Sequence, residues 1–349
     1  GESKATMKYN VLGSTGLKVS ELCLGTMTFQ QVSDKKAFGW LPPVDEKGSH
    51  DFLDQFIAAG GNFIDTADAY ASSEEVIGRW ISKRSEKDPT FRDDLVIATK
   101  VFFGSGKNAN GLNRPHVFKA IDKSLKRLQI DYIDLYQVHT YDYTVSVREV
   151  MTTMKILIER GKISHWGVSN WKASQIMECM WLSSQYGLPA PVCLQHNYSL
   201  LSRNLEFEIL PLAKRFNLSV ISWSPLQGGW LTGKYKKSEK PDSNSRVGAA
   251  EGKWKMTSYS EHDNDLTWNT LAELEKIAKE CNVSQCAVAL RWNLQSEGIT
   301  CPIIGVKKPK HFEQALETVA FELSKDQMDR LNKASTPKIP YPHEFPCKK

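Results

Sequence analysis

Short, nearly continuous apolar runs recur along the chain, separated by longer stretches in which apolar residues return every three or four positions. The runs fall at Glu21–Gly25, Asn62–Thr66, Leu95–Lys100, Tyr132–Val138, Ile163–Val168, Val192–Gln195, Ser219–Trp223 and Cys301–Ile304. Such continuity suits strands buried on both faces. Between them the period is helical. His50–Ala59 puts Phe52, Leu53, Phe56 and Ile57 on one face and stops at Gly60-Gly61. Ser72 with Glu75 predicts a capping box ahead of Val76, Ile77 and Trp80. Asn113 and Pro115 predict the start of a helix with the stripe Phe118, Ile121, Leu125 and Leu128. Eight alternations of this kind predict an α/β fold, a (β/α)8 TIM barrel, with residues 1–349 forming one domain. The turn pair Thr15-Gly16 within Met7–Ser20 predicts an N-terminal β-hairpin across the barrel floor. Residues 1–6 read as a disordered extension or expression remnant, and residues 336–349 as a C-terminal tail.

Two segments break the rhythm and predict long loops at the C-terminal rim. Thr26–Lys47 holds Phe29, Trp40 and Pro42-Pro43; Pro225–Asp265 holds Gly228-Gly229, Trp230, Gly233 and Trp254. Loops this long without regular structure are commonly lids, the alternative being a disordered surface insertion.

Composition narrows the class. In 349 residues, 41% are hydrophobic, enough for a sizeable core, and the net charge of +5 is spread along the chain. That balance does not indicate nucleic acid but suits an anionic substrate or cofactor. Seven scattered cysteines form no Cys-x-x-Cys pair, so a reduced, cytoplasmic protein without a structural zinc is expected. No apolar run is long enough to insert in a membrane.

Four polar residues stand where apolar runs end: Asp65, Lys100 and His139 each close a run, and Tyr70 follows Asp65 by five positions. In a parallel barrel these ends share the rim where catalysis occurs. A tyrosine, with an ordinary pKa of about 10, is a weak acid at neutral pH, and a nearby lysine favours its phenolate. A carboxylate keeps that lysine charged, and a histidine can orient a substrate oxygen. The set could protonate a carbonyl oxygen as hydride reaches the carbon. Each residue taken singly has a plainer use: a tyrosine packing a loop, a lysine reaching water, a histidine satisfying a structural bond.

The motif Asp65-Thr66-Ala67 with Tyr70, then Ser73-Glu74-Glu75-Val76-Ile77-Gly78, resembles the signature of the aldo-keto reductases. So do Ile97-Ala98-Thr99-Lys100, Gly161-Lys162-Ile163, Gly167-Val168-Ser169-Asn170 and Trp223-Ser224-Pro225-Leu226, in the same order from roughly Met7 to Ser335. The resemblance implies reversible reduction of aldehydes or ketones by NADPH. It makes Tyr70 the general acid, with Asp65, Lys100 and His139 as partners. It implies that Ser169, Asn170 and Gln195 hold the nicotinamide carboxamide and that Trp223 stacks on the ring. Ser224, Leu226, Gly228 and Lys234 would line the pyrophosphate groove. Loops after the last two strands are a common phosphate site in barrels, and the helix opening near Pro309 offers free amides to an anion. After strand eight, Gly305, Lys307 and Lys308 keep the expected positive charge for a 2′-phosphate. His311 replaces an Arg or Gln of the family pattern, and Gln314-Ala315 replace Glu-Asn, which weakens the expected adenine contacts. Phe29, Trp40, Phe102, Tyr141, Trp171 and Trp230 are the candidate walls of an aromatic substrate pocket for a small-molecule carbonyl. Asp142, near His139, could bind a hydroxyl or cap its loop.

Two other functions remain open on the sequence. One is an NADPH-binding regulatory subunit resembling the potassium-channel β type, with little turnover. The other is a Schiff-base aldolase using Lys100, for which an ammonium kept charged by Asp65 is poorly suited. No His-Glu-x-x-His, Gly-x-Ser-x-Gly or Gly-x-Gly-x-x-Gly occurs, so zinc protease, serine hydrolase and Rossmann readings lack support, and no metal is expected.

Overall fold

The computed structural model describes residues 7–31, 43–243 and 245–345. Strands β1 (Tyr9–Val11) and β2 (Lys18–Ser20) pair antiparallel as the predicted hairpin. Eight further strands close into a parallel barrel: β3 (Cys23–Gly25), β4 (Phe63–Asp65), β5 (Val96–Val101), β6 (Ile133–Val138), β7 (Ile163–Ser169), β8 (Cys193–Asn197), β9 (Ser219–Trp223) and β10 (Cys301–Gly305). Each predicted run carries one strand, with ends shifted by at most two residues. The hairpin sends Leu12 and Val19 into the barrel interior beside Phe63, Leu135 and Cys193. Gly13 N donates to Ser219 Oγ (2.7 Å) and Asn10 Nδ2 to Thr300 O (2.7 Å), which ties the hairpin across the floor.

Helices α1 (Glu46–Ala58), α2 (Ser73–Ser85), α3 (Arg114–Leu128), α4 (Val147–Glu159), α5 (Ala173–Tyr186) and α6 (Ile209–Phe216) follow β3 to β8 in turn. After β9 come α7 (Arg246–Ala250), α8 (Tyr259–His262), α9 (Asp265–Cys281) and α10 (Gln285–Gln295); α11 (Pro309–Leu316) and α12 (Lys325–Ala334) follow β10. The main core lies between strands and helices, where Phe52, Phe56, Ile77, Ile121 and Met151 are buried. Burying a side chain of that size stabilises by about 1.5–3 kcal/mol each. Gly78 is needed for α2 to approach α3, since a Cβ there would lie 2.1 Å from Arg127 O.

Local predictions needed correction in four places. The first helix starts at Glu46, not near His50, because Asp45 Oδ1 accepts from Gly48 N (2.8 Å) and starts it four residues earlier. Gly48 and Ser49, both weak in helical period, hid that first turn. The capping box at Ser72 is absent: Ser72 Oγ accepts from Gln31 N (2.8 Å), stitching the loop after β3 to α2. In α3 the buried stripe runs through Val117, Ala120, Ile121 and Leu128. Phe118 turns half outward, and the Arg160 guanidinium covers its ring at 4.8 Å. The fourth correction concerns Pro225–Asp265, which contains α7, α8 and two 3-10 turns. Trp230 anchors it: the ring is fully buried, donates Nε1 to Thr257 O (3.0 Å), and packs on Tyr235, Tyr259, His262 and Trp268.

Candidate active site

Asp65 ends β4, Lys100 lies near the end of β5, and His139 is the first residue beyond β6. The register aligns Asp65 with Ala98 and Lys100 with Gln137, so three neighbouring strands deliver these groups to one rim. Lys100 Nζ donates to Asp65 Oδ2 (2.5 Å) and to Thr66 O (2.9 Å), and both side chains are almost fully buried. Burial by itself would lower the Lys100 pKa. The Asp65 charge and hydrogen bond, with Tyr70, more than offset it and leave the ammonium held above its ordinary value.

Tyr70 joins them from the loop between β4 and α2. Thr66 Oγ1 donates to Ser73 Oγ (3.0 Å), Ser73 Oγ reaches Thr26 (2.8–2.9 Å), and Thr26 Oγ1 donates to Asp65 O (2.9 Å). These buried hydroxyls pin both ends of the loop. Lys100 Nζ sits 5.1 Å from the Tyr70 ring centroid and hydrogen-bonds its side chain. The expected lowering of the Tyr70 pKa is outweighed here. Burial pushes the phenol up, Lys100 pulls it down, Asp65 pushes it up again, and the result lies above the ordinary value. His139 meets Tyr70 edge to face, with centroids 5.9 Å apart. Burial, reinforced by Lys100, lowers His139 to about 3, so the ring is neutral at ordinary pH. Its Nδ1 is buried without a hydrogen-bond partner.

Sequence reasoning missed Gln137, a polar residue inside the apolar run of β6 and fully buried. Asp65 Oδ1 accepts from Gln137 Nε2 (3.1 Å) and from Gln195 Nε2 (2.8 Å). Around the rim, Ser169 Oγ donates to Gln195 O (2.9 Å), and Asn170 Nδ2 to His139 O and Ser169 Oγ (both 3.1 Å). Trp223 Nε1 donates to Asn170 Oδ1 (3.1 Å). Asn170 and Ser224 adopt the left-handed conformation, φ 61° and 51°, uncommon for residues with a Cβ and frequent at functional sites.

A second cluster lies on the segments after β9 and β10, with Arg246 close enough for its charge to act on Tyr70. Gly228 and Gly229 have positive φ, and a Cβ on Gly229 would lie 3.1 Å from Lys234 Nζ. Lys307 is lowered to about 8, first by burial, then by the charges of Arg246 and Lys234. His311 is lowered too, by burial and then by Lys234, Lys308, Lys307 and Lys310. Arg246, at the start of α7, was not foreseen; its Nε and the Tyr235 hydroxyl are buried without hydrogen-bond partners. Crowded cations beside orphaned donors, next to a glycine cradle, fit a phosphate-bearing ligand such as a nicotinamide dinucleotide. Leu226 and Gln314 are partly buried nearby in sequence, and Gly305 is exposed at the end of β10.

The aromatic candidates divide. Phe29 is fully buried and stacks on Phe52 (6.3 Å), and Trp230 anchors the inserted segment, so both are core rather than pocket wall. Trp171 is buried with Tyr141 edge-on at 4.8 Å, and Phe102 packs on Phe103 at 5.2 Å. Trp40 lies outside the described residues. Two unforeseen rings face solvent at the mouth: Phe103, 52% exposed and 5.1 Å from His139, and Tyr143, 76% exposed. The available signal for Phe103 was its place beside Phe102, three residues past Lys100. Asp142 caps loops: it accepts from Leu112 N and Thr144 N (both 2.8 Å). Among the described residues no cluster of His, Cys, Asp or Glu could hold a metal ion, and no helix is long and apolar enough to cross a membrane.

Residues 21–336 match the model of the Aldo/keto reductase family. A protein of Bacillus subtilis (strain 168) named uncharacterized oxidoreductase YrpG is 32% identical over 341 residues, 93% of this chain and 95% of that one. A probable voltage-gated potassium channel subunit beta of Oryza sativa subsp. japonica is 32% identical over 321 residues, 90% of this chain and 91% of that one. Aryl-alcohol dehydrogenase GME11368 of Pestalotiopsis microspora is 29% identical over 348 residues, 95% and 83% of the two chains.

Proposed function

The chain belongs to the aldo/keto reductase family of oxidoreductases, and on that footing we propose that it reduces aldehydes or ketones to alcohols with NADPH, Tyr70 acting as general acid. The observation that carries this is Tyr70 set against Lys100, itself buried on Asp65, at the catalytic rim of the barrel. A bound nicotinamide supplies hydride to the carbonyl carbon. Tyr70 keeps its proton throughout the neutral range, since burial holds its pKa above the ordinary value. It gives that proton to the substrate oxygen, and the Lys100 ammonium stabilises the phenolate left behind. His139, neutral and with Nδ1 enclosed, orients the same oxygen through Nε2. Gln195 keeps Oε1 for the carboxamide, and Trp223 and Asn170 border the ring site. Lys234, Arg246, Lys307 and Lys308 would hold the phosphates. Phe103, Tyr141 and Tyr143 favour an apolar, ring-bearing carbonyl substrate. Five cysteines whose thiols burial pushes well up suit a reducing compartment such as the cytoplasm.

The test is NADPH consumption with a panel of aldehydes and ketones, comparing wild type with Tyr70→Phe. Turnover in Tyr70→Phe is expected to fall by about 10²–10⁴-fold while NADPH still binds. A relative named as a potassium channel subunit beta favours a second reading, a cofactor-binding regulatory subunit. Tight NADPH binding without turnover of any carbonyl would put that second reading first, and absence of NADPH binding would overturn both.

A further inference from the structure

Gln137 has no part in the chemistry above, yet it is fully buried and makes two side-chain hydrogen bonds inside the barrel. Its Nε2 donates to Asp65 Oδ1 (3.1 Å), and its Oε1 accepts from Gln195 Nε2 (3.0 Å). Gln195 Nε2 also donates to Asp65 Oδ1 (2.8 Å). The three side chains therefore close a triangle. A carboxylate only accepts and an amide has two hydrogens, so each atom's role is set. Rotating the Gln137 amide by half a turn would put its oxygen against the Asp65 carboxylate and its hydrogens against those of Gln195. Both hydrogens of the Gln195 amide are committed within the triangle, which leaves Oε1 as the atom that can face a ligand.

The barrel makes room for this at one place. Gln137 on β6 is register-paired with Gly167 on β7, and Gly167 with Cys193 on β8. A Cβ on Gly167 would lie 2.7 Å from Cys193 O, so no side chain stands at that level between β6 and β8. Gln137 can thus reach over β7 to Gln195.

We propose that Gln137 is a positioning residue that sets Asp65 and Gln195 in one register. The same hydrogen bonds then aim Asp65 Oδ2 at Lys100 and Gln195 Oε1 at the nicotinamide carboxamide, which rests on the NADPH reading above. Two neutral donors hold Asp65 in place without cancelling the charge that fixes Lys100. Loss of Gln137 frees the Gln195 amide to turn and leaves Asp65 Oδ1 with a single donor.

The experiment uses Gln137→Leu, with Gln137→Met as a second variant of matched length should the first not fold. The first readout needs no cofactor: hydrogen exchange of the Gln195 side-chain amide, followed by nuclear magnetic resonance. The second is NADPH affinity from tryptophan quenching without substrate. Wild-type Gln195 should show a slowly exchanging amide. In the variant that protection should disappear and NADPH should bind about tenfold more weakly, the effect of one buried hydrogen bond to an ion. Lost protection with unchanged NADPH affinity would overturn the coupling, and an unprotected Gln195 amide in the wild type would overturn the triangle itself. A wild type with a protected amide that binds no NADPH would instead support the positioning of Asp65 and Gln195 and bring down the cofactor reading.

Discussion

Replacing Lys307 by methionine removes one cation from a cluster that also holds Arg246 and Lys234. Burial and those two neighbours bring Lys307 from an ordinary value of 10.5 to about 8. Holding its charge in the unliganded protein therefore costs roughly 3 kcal/mol, less whatever water screens at its exposed part. A phosphate dianion reverses the balance and returns the pKa toward its ordinary value. The sign follows from proton uptake. Below about pH 7 Lys307 is already charged and NADPH affinity is flat. As pH rises through about 8 the free protein loses the proton that the complex keeps, and affinity falls by up to tenfold per unit until the bound form also titrates. His311, pushed below its ordinary value, is discharged before this window opens. At pH 7 the Lys307→Met protein should bind NADPH about 10–100-fold more weakly, as expected for losing a charged hydrogen bond. Its affinity should stay level as pH rises, so that the two curves converge near pH 10. NADH, lacking the extra phosphate, should respond much less. Tryptophan quenching titrations from pH 7 to 10 at constant salt give both curves. Equal NADPH affinity of the two proteins at pH 7, or an unchanged slope in the variant, would refute the reasoning.

Lys100→Met leaves the Asp65 carboxylate buried without its counter-charge, so denaturant unfolding should register a loss of about 3–5 kcal/mol; wild-type stability would mean that the pair is not structural. Phe29→Ala should cost about 3–5 kcal/mol of stability with KM unchanged, as for a core ring. Phe103→Ala should do the reverse, raising KM for ring-bearing carbonyls while the melting temperature holds, and equal behaviour of the two variants would contradict their placement. His139, neutral in the fold down to about pH 3, favours the unfolded state as pH falls below about 6.5. Its share of the loss is up to roughly 1.4 kcal/mol per pH unit, so His139→Asn should make that limb shallower in thermal melts between pH 4 and 7, leaving the part due to other lowered histidines such as His196 and His262.

The strands were legible because burial on both faces leaves a continuous apolar run, and the eight runs carry the eight barrel strands. Asp65, Lys100 and His139 were legible for the same reason, each being the polar residue that ends such a run. Gln137 was not: one polar residue inside a run looks like noise until the register sets it beside Gly167 and across from Gln195. Arg246 was hidden differently. It lies in a charged stretch of an inserted segment, and only the fold brings it to Lys307 and Tyr70. Ser72 failed as a capping box because a tertiary donor, Gln31 N, took the hydroxyl that the local pattern assigned to the helix. Phe29 and Trp230 failed as pocket walls because position after a strand end says which loop a ring is on, not which way it turns.

The two halves of the rim are built on opposite electrostatic terms. Where protons would move, charge is balanced inside the protein: Lys100 lies on Asp65, and the remaining carboxylate oxygen has two amide donors. That half is part of the barrel interior, with Asp65 and Lys100 buried against each other on β4 and β5. At the other half, Lys234, Arg246, Lys307 and Lys308 make no ion pair with any described residue, and Lys307 bears the mutual repulsion. These cations come from the segment after β9 and the start of α11, outside the strands. Substitutions there relieve repulsion in the free protein and cost only ligand affinity. Substitutions at Asp65 or Lys100 cost folding first. Arg246 links the two clusters, since its charge also pulls the Tyr70 phenol down, while Gln195 commits both amide hydrogens to the balanced half.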